Sequence, residues 1–160
     1  MTEKPAFGVF PRETLLSMDG LTCLRKMIAG ELPRPPMCET LDFLLIEARP
    51  GEAVFEGAPG QRHYNPIGTV HGGYAATLLD SCMGCAVHST LAHGEGYTTL
   101  EFKLNLVRAM TDRTGKVRAE GKIVHRGRTI ATAEGRLVDA EGRVYAHATT
   151  TCMIFSGQQV

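Results

Sequence analysis

The spacing of apolar residues changes along this chain, and the first pattern is helical. In the segment SMDGLTCLRKMIAG, residues 17–30, apolar residues recur every three or four positions, which predicts a helix. Ser17 or Asp19 could cap its start, and Gly30 followed by Pro33 would end it. The run PRPP that follows breaks the pattern and is interpreted as a spacer.

From residue 40 onward the apolar positions alternate, as they do in strands with one buried face. Two short runs, LDFLLIEA and AVFEG, flank the turn sequence RPGE and predict a hairpin. Four further runs follow residue 98, separated by the turn sequences TDRTGK, RGRT and DAEGR. In the first of them, TLEFKLNLVR, the predicted apolar face consists of Leu100, Phe102, Leu104 and Leu106, and Thr99 is predicted on the opposite face.

One long segment between the two sets of strands cannot be a strand. Residues 73–91 are rich in alanine and leucine and hydrophobic nearly all round, which is typical of a buried helix. Strands joined by short turns are antiparallel, and the apolar face of such a sheet has to be covered. We therefore expect an α+β domain of the hotdog type, a curved antiparallel β-sheet wrapped around a central α-helix. Residues 37–160 would form this domain, and residues 1–36 an extra N-terminal helical extension.

Composition narrows the possible partners and location. Lysine and arginine together number 17, as do aspartate and glutamate, so no nucleic-acid partner is expected, because phosphate backbones require a basic surplus. The longest apolar stretch, residues 74–92, contains Asp80 and His88 and is a poor membrane span. The N-terminal sequence lacks the apolar core of a secretory signal, and five irregularly spaced cysteines fit reduced thiols. A cytoplasmic protein without membrane partners is expected.

A carboxylate inside the long helix is the first candidate for chemistry. Asp80 lies in an apolar stretch, and no lysine or arginine occurs between Arg62 and Lys103. Aspartate is seldom buried without a partner. As a structural residue it could cap a break in the helix or hydrogen-bond a distant backbone group. As a functional residue it would stay ionised and act as general base or nucleophile.

Two glycines open the same helix. Gly72 and Gly73 would leave N–H groups at the helix start that suit an oxygen carrying negative charge, although a tight turn without a ligand is the alternative. Gly72 and Asp80 are eight positions apart, which is about 12 Å along a helix axis. One helix can therefore hardly apply both groups to one carbonyl. If both are catalytic, two chains share each site, and a homodimer is expected.

The sequence NPIGTVHGGYAATLLD, residues 65–80, resembles the signature of hotdog-fold acyl-CoA thioesterases of the phenylacetate-pathway (PaaI-like) type. The similarity extends over residues 40–155 and includes the later RGRT and AEG elements. It implies hydrolysis of an acyl-CoA thioester to a free acid and coenzyme A. It also implies a homodimer or homotetramer, and it requires no cofactor or metal.

The resemblance implies a role for each matching position. The Gly72 N–H would polarise the thioester carbonyl, and Asn65 would orient the attacking water or the thioester. His71 would organise the surroundings of the thioester. Asp80 of the second chain would activate water or attack directly.

Two further strands carry residues implied by the resemblance. A hydroxyl on the strand after the helix often assists, and Thr99 fits best, with Thr98 as the other candidate. The region that holds the nucleotide part of coenzyme A corresponds to His125, Arg126, Gly127, Arg128 and Thr129. Arg126 and Arg128 suit phosphate because a guanidinium group is permanently charged and forked. The alternative for these two is a solvated hairpin tip.

The sequence permits two rival interpretations. The sequence CMGC, residues 82–85, has the spacing of redox and zinc sites, but it lies mid-helix and lacks a second ligand pair, so core cysteines are expected. The other rival is a non-catalytic module that binds or senses acyl-CoA. Such a module would keep the glycines and arginines but would not need Asp80.

Overall fold

The computed structural model of the chain describes residues 6–156. Its helices are α1 (Arg12–Leu16), α2 (Gly20–Ala29), α3 (Pro36–Leu41) and α4 (Gly72–His88), with a 3-10 turn at Gln61–His63. Its strands are β1 (Phe43–Arg49), β2 (Glu52–Gly57), β3 (Glu95–Leu106), β4 (Val117–Arg126), β5 (Ile130–Asp139) and β6 (Val144–Ser156). The predicted order of one helix, two strands, one buried helix and four strands is confirmed. Helices α1 and α3 are short additions, and α3 begins inside the PRPP run that was interpreted as a spacer.

The caps of α2 lie where the sequence predicts them. The Asp19 side chain accepts a hydrogen bond from the Thr22 backbone N–H at 2.9 Å, which satisfies one of the free donors at the helix start. Gly30 ends the helix in the left-handed conformation, with φ of 79°, and its N–H donates to carbonyls of the last turn. Of the two candidate caps, Asp19 is the residue used.

The N-terminal extension, residues 6–36 of the described chain, is fixed to the sheet domain at the level of the backbone. The Gly20 N–H donates to the Leu91 carbonyl at 3.0 Å. A Cβ atom at Gly20 would overlap the His88 carbonyl oxygen, so only glycine permits this approach to the end of α4. Within the extension, the Gly8 N–H donates to the Arg34 carbonyl at 2.9 Å, and this bond joins its two ends.

The six strands form one antiparallel sheet in the order β1-β2-β4-β5-β6-β3. Helix α4 contacts all six strands, so the sheet wraps around it as the sequence predicts. Gly121 of β4 and Gly135 of β5 are direct cross-strand partners beneath the helix. A Cβ atom at Gly121 would overlap the Cys82 backbone, and one at Gly135 would stand 2.9 Å from the Met83 side chain. These two glycines let α4 lie directly on the strand backbones.

Strand β3 departs from the predicted alternation. It is an edge strand, and a β-bulge at Leu100 interrupts its pairing with β6. Thr99 pairs with Cys152 and Phe102 with Thr150, and both of these partners lie on the buried face. Thr99 and Phe102 therefore share the side that faces α4. The prediction that Thr99 faces away from the apolar residues is wrong, because Leu100 is an extra residue in the ladder.

Two expectations concern the chain as a whole. Among residues 6–156, no helix is long and apolar enough to span a bilayer. The division into residues 1–36 and 37–160 stays a prediction, and its outer ends, residues 1–5 and 157–160, lie outside the described residues.

Candidate active site

Asp80 lies halfway along α4, on the side that faces β3, and is partly buried. Its Oδ1 accepts a hydrogen bond from Thr99 Oγ1 at 3.1 Å. None of the ion pairs between residues 6–156 involves Asp80, and its Oδ2 has no hydrogen-bond partner in that part of the chain. The carboxylate is thus positioned by a hydroxyl and has no counter-ion in the part of the chain that the structure describes. One of its oxygens is left to accept a proton or to attack a carbonyl carbon.

The bulge in β3 decides which of two threonine hydroxyls reaches this carboxylate. Thr99 faces α4 and contacts Asp80, and its hydroxyl also lies 4.0 Å from the Cys152 sulfur. Thr98 pairs with Met153 of β6, and both are exposed to solvent on the other face of the sheet. The structure therefore brings Thr99, and not Thr98, to Asp80.

The start of α4 presents one free backbone amide. His71 is the N-cap residue, and its Nδ1 accepts the Gly73 N–H at 2.8 Å. Because an accepting ring nitrogen is unprotonated, the neutral imidazole carries its proton on Nε2. The Gly72 N–H has no acceptor among residues 6–156 and lies at the positive end of the helix dipole. The sequence predicted free N–H groups on both Gly72 and Gly73. The His71 cap binds the Gly73 N–H, so only the Gly72 N–H is left among the two.

A narrow gap separates the Gly72 amide from β3. A Cβ atom at Gly72 would stand 2.7 Å from Leu106 Cδ1. A side chain at this position would have to displace the leucine, so glycine keeps the approach to the N–H open.

Asn65 closes the loop that leads into α4. Its Oδ1 accepts the backbone N–H groups of Ile67 at 3.1 Å and Thr69 at 3.4 Å. Its Nδ2 donates to Thr69 Oγ1 at 3.0 Å. These bonds engage the carbonyl oxygen and one of the two Nδ2 hydrogens. Within the chain Asn65 shapes the loop, and its second Nδ2 hydrogen is the group left for a ligand.

Two groups of candidate residues lie at different points of α4. His71 and Gly72 lie at its start and Asn65 in the loop that leads into it, whereas Asp80 and Thr99 meet near its middle. The helix is continuous between them, so the two groups are about 12 Å apart along its axis. A single chain does not bring them together on one small substrate group.

The edge strand β3 passes both groups and is unpaired on its outer side within residues 6–156. It carries exposed apolar side chains: Leu100 is 54% exposed, Phe102 38% and Leu106 57%. An exposed strand edge lined by apolar residues is a surface suited to pairing with another chain.

The end of β4 and the turn that leads to β5 carry the five predicted coenzyme A residues, His125, Arg126, Gly127, Arg128 and Thr129. Arg126 is engaged within the chain: its Nη2 lies 2.7 Å from Glu95 Oε2, and its Nη1 donates to the Gly127 carbonyl. Arg128 is exposed and forms no ion pair in the described part of the chain. The two arginines were predicted as equivalent, but only Arg128 is left free for an anionic ligand.

The residues that continue from Asp80 along the same face of α4 were not identified from the sequence. Gly84 and His88 follow at intervals of four and therefore share that face. Tyr97 of β3 lies against both: a Cβ atom at Gly84 would stand 2.7 Å from the Tyr97 hydroxyl, and the Tyr97 and His88 rings are 5.7 Å apart. The interval of four residues can be read from the sequence. The contact with Tyr97 could not be predicted, because the bulge changes which residues of β3 face α4.

The C-x-x-C sequence belongs to the core. Cys82 is fully buried against the sheet, and all five cysteines are unpaired. Burial raises the pKa of the Cys85 thiol to about 12, so it carries no thiolate near neutral pH. In residues 6–156, no cluster of three or more His, Cys, Asp or Glu side chains could hold a metal ion. The prediction of a core cysteine is confirmed for Cys82, whereas Cys85 is partly buried and packs against the core.

Comparison with known proteins identifies thioesterases both by family model and by individual relatives. The family model described as the thioesterase superfamily matches residues 67–146, which is half of the chain. Human acyl-coenzyme A thioesterase 13 is 29% identical over 112 residues, covering 64% of this chain and 77% of that protein.

Solved structures share the architecture. A phenylacetic acid degradation-related protein of Ralstonia eutropha JMP134 has a TM-score of 0.73 and 29% identity, covering 81% of this chain and 98% of that one. A protein of Streptococcus mutans UA159, solved with acetyl CoA bound, has a TM-score of 0.65 and 25% identity, with coverage of 71% and 89%.

Proposed function

Because this chain belongs to the thioesterase superfamily and is a thioester hydrolase, we propose that it hydrolyses acyl-CoA thioesters at sites shared by two copies of the chain. The observation that carries the proposal is the state of Asp80. Its carboxylate is partly buried, is held by Thr99, has no counter-ion among residues 6–156, and lies beside an unpaired strand edge. A carboxylate in this state suits attack on a thioester, directly or through water.

Coenzyme A as the leaving group is supported by the relatives and by one residue of this chain. The human relative is named an acyl-coenzyme A thioesterase, and the Streptococcus mutans structure holds acetyl CoA. At the β4–β5 turn the exposed Arg128 offers a forked cation to a phosphate. Arg126, paired with Glu95 at the start of β3, would position this turn rather than carry the main phosphate contact.

A homodimer is supported by the shape of the edge strand. A second chain related by a twofold axis at the outer side of β3 would extend the sheet and cover Leu100, Phe102 and Leu106. The two copies of α4 would then run in opposite directions. The Gly72 end of each helix would approach Asp80 of the other, which removes the separation of about 12 Å within one helix. Two such dimers could assemble further into a homotetramer.

The proposed reaction divides the work between the two chains. The Gly72 N–H of one chain stabilises the negative charge that develops on the thioester oxygen. Asp80 of the other chain takes a proton from the attacking water on Oδ2, or attacks the carbonyl carbon itself to form an anhydride that water then hydrolyses. In both cases the C–S bond breaks and coenzyme A leaves as the thiolate, which takes its proton from Asp80 in the first route and from solvent water in the second. The His71 Nε2–H and the second Nδ2 hydrogen of Asn65 are donors available to orient the thioester.

Thiol release from a panel of short, medium and aromatic acyl-CoAs tests the proposal. The purified protein should turn over at least part of the panel, and Asp80→Asn should lose most of this turnover while keeping its circular dichroism spectrum and melting temperature. Ser81→Ala, on the adjacent and also partly buried position, is the matched control and should stay close to the unaltered protein. Binding of acyl-CoAs without thiol release would instead favour the non-catalytic binding module.

A further inference from the structure

A cavity of about 370 Å³ lies between the N-terminal extension and the sheet domain. Mostly apolar residues between positions 8 and 27, together with Pro35 and Pro36 at the start of α3, form its roof, and Cys85, His88 and Tyr97 form its floor. In the described part of the chain no Asp, Glu, Lys or Arg side chain lines it. The cavity is therefore an apolar chamber, and we refer to it below as the roofed chamber.

We propose that the roofed chamber binds the acyl group of the substrate, and that this group is uncharged, apolar and of medium length. The inference rests on the proposed hydrolysis of acyl-CoA thioesters and adds the substrate class to it. Its basis is the position of the chamber relative to Asp80, its lining and its size.

The chamber continues the face of α4 that carries the carboxylate. His88 lies eight positions, about two turns, beyond Asp80 on that face and forms part of the chamber floor. Between them, Gly84 leaves room for the Tyr97 ring, which also lines the chamber. The Tyr97 ring lies between the carboxylate and the chamber, so an acyl group whose carbonyl carbon is near Asp80 would reach the chamber by displacing this ring from Gly84.

The volume of the chamber, which is open to solvent on one side, indicates the size of acyl group that fills it. A cavity of about 150 Å³ is enough to hold benzene, and pockets for small ligands begin at about 300 Å³. The chamber volume of about 370 Å³ lies just above that lower limit. It suits an alkyl chain of medium length or a phenylalkyl group, and a two-carbon acyl group would leave most of it unfilled.

The lining selects against charged acyl groups. His88 is the ionisable base on the chamber floor, and its Nε2 is buried without a hydrogen-bond partner. Burial keeps this imidazole neutral near pH 7, with its pKa lowered to about 4. A terminal carboxylate, as in a dicarboxylic acyl group, would thus lose its hydration without gaining a counter-ion.

The roof lies outside the part of the chain that matches the thioesterase family. That match begins at residue 67, whereas the roof consists of residues 8–36. The backbone contact at Gly20 holds the roof against the end of α4. Acyl selectivity would therefore be set by the extension and the reaction itself by the family domain.

Filling the chamber tests the inference. Met27→Trp adds bulk on the chamber wall, whereas Arg25→Trp adds the same side chain at an exposed position of the same helix. Met27→Trp should lower kcat/KM for decanoyl-CoA roughly tenfold or more and leave acetyl-CoA within about twofold, since each methylene accommodated by a pocket contributes about 10-fold or more. Arg25→Trp should change neither. Succinyl-CoA should be a poor substrate of all three proteins.

A binding measurement separates this inference from the proposed function. Calorimetric titration with decanoate needs no turnover, and Met27→Trp should weaken that binding relative to Arg25→Trp. If the protein binds decanoate in this way but releases no thiol from any acyl-CoA, the chamber assignment stands and the proposed function fails. If it releases thiol but Met27→Trp affects acetyl-CoA and decanoyl-CoA equally, or neither, the chamber assignment is overturned.

A second pair of variants covers the case in which Met27→Trp does not fold. Leu15 of α1 lines the chamber and the neighbouring Leu16 does not, although both are partly buried. Leu15→Trp should reproduce the selective loss on decanoyl-CoA, and Leu16→Trp should not. Equal effects of the two would overturn the assignment.

Discussion

Thr99 Oγ1 donates a hydrogen bond to Asp80 Oδ1 at 3.1 Å, and this bond joins the edge strand to the central helix at the candidate site. It restrains a carboxylate that has no counter-ion among residues 6–156. The hydroxyl thus fixes one oxygen of Asp80, and the other has no hydrogen-bond partner in the described part of the chain.

Removing this hydroxyl should slow the reaction. Thr99→Val keeps the shape of the side chain and should lower kcat by about 10- to 150-fold, since a hydrogen bond to a charged group contributes roughly 1.5–3 kcal/mol. Thr99→Ser should recover most of the loss because it restores the donor. Steady-state thiol release would give kcat and KM separately, with KM little changed. Thr98→Val on the solvent face is the control, and an equal effect of the two valine variants would contradict the assignment.

Mixed dimers should regain activity that neither parent has. Asp80→Ala removes the carboxylate, and Gly72→Pro removes the N–H at a helix position where the backbone tolerates proline, although its Cβ atom also has to displace the end of the Leu106 side chain. The preceding residue, His71, has ψ of 137°, which a following proline accepts. After exchange of equal amounts, half of the dimers are mixed and each has one intact site, so about a quarter of the original activity should return. Thiol release before and after exchange measures this, and no recovery despite proven exchange would rule out a shared site.

The glycine beneath α4 should be needed for stability. Gly121→Ala would push a Cβ atom into the Cys82 backbone, which cannot rotate away, so we expect a loss of about 1–3 kcal/mol in the free energy of unfolding. Gly60→Ala is the control, because Gly60 has an extended φ of −149° and no atom near its missing Cβ. Urea denaturation should show it within about 1 kcal/mol of the unaltered protein. Equal midpoints for the two variants would mean that the helix can shift away from the sheet.

His88 should make the fold sensitive to acid. Burial lowers the pKa of His88 to about 4, against a weaker opposing effect of Asp19. The unfolded chain binds this proton near pH 6.5, so between about pH 6.5 and 4 it binds more protons than the folded chain, and stability falls as pH falls. The loss over that window is on the order of 3 kcal/mol for this group.

The measurement compares urea midpoints at about pH 7.5 and about pH 5, where the linkage predicts a clear difference. Burial and Arg62 also lower the pKa of His63, which adds to the same trend. The test is therefore how each substitution changes the difference between the two urea midpoints. His88→Leu should reduce this difference, whereas His93→Leu at an exposed position should not. Unchanged acid sensitivity in His88→Leu would assign the effect to other groups.

Local patterns in the sequence were sufficient for the elements and for part of the site. The nearly all-apolar segment identified α4, and the absence of nearby cations singled out Asp80 before any contact was known. The caps Asp19 and Gly30 were also predicted, because capping depends on residues within one turn of the helix end.

Contacts between distant segments could not be predicted in this way. The ion pair of Arg126 with Glu95 joins positions 31 residues apart and depends on how β3 lies beside the β4–β5 turn. The bulge at Leu100 left no mark in the alternation of TLEFKLNLVR, so the facing of Thr99 was predicted wrongly. The roofed chamber depends on where the extension packs, and a helical pattern shows only that one face will be covered.

The bulge at Leu100 also predicts which single-residue deletion β3 can absorb. Thr99 and Phe102 already point to the same side although three positions separate them. Deleting Leu100 would leave them two positions apart, as in an uninterrupted ladder, so both side chains would keep their direction. Deleting Lys103 instead would turn Leu104 and Leu106 to the other face relative to Thr99. Strand β3 can therefore lose one residue at position 100. A deletion of that codon would remove the bulge, and the side chains on either side of it would still face α4.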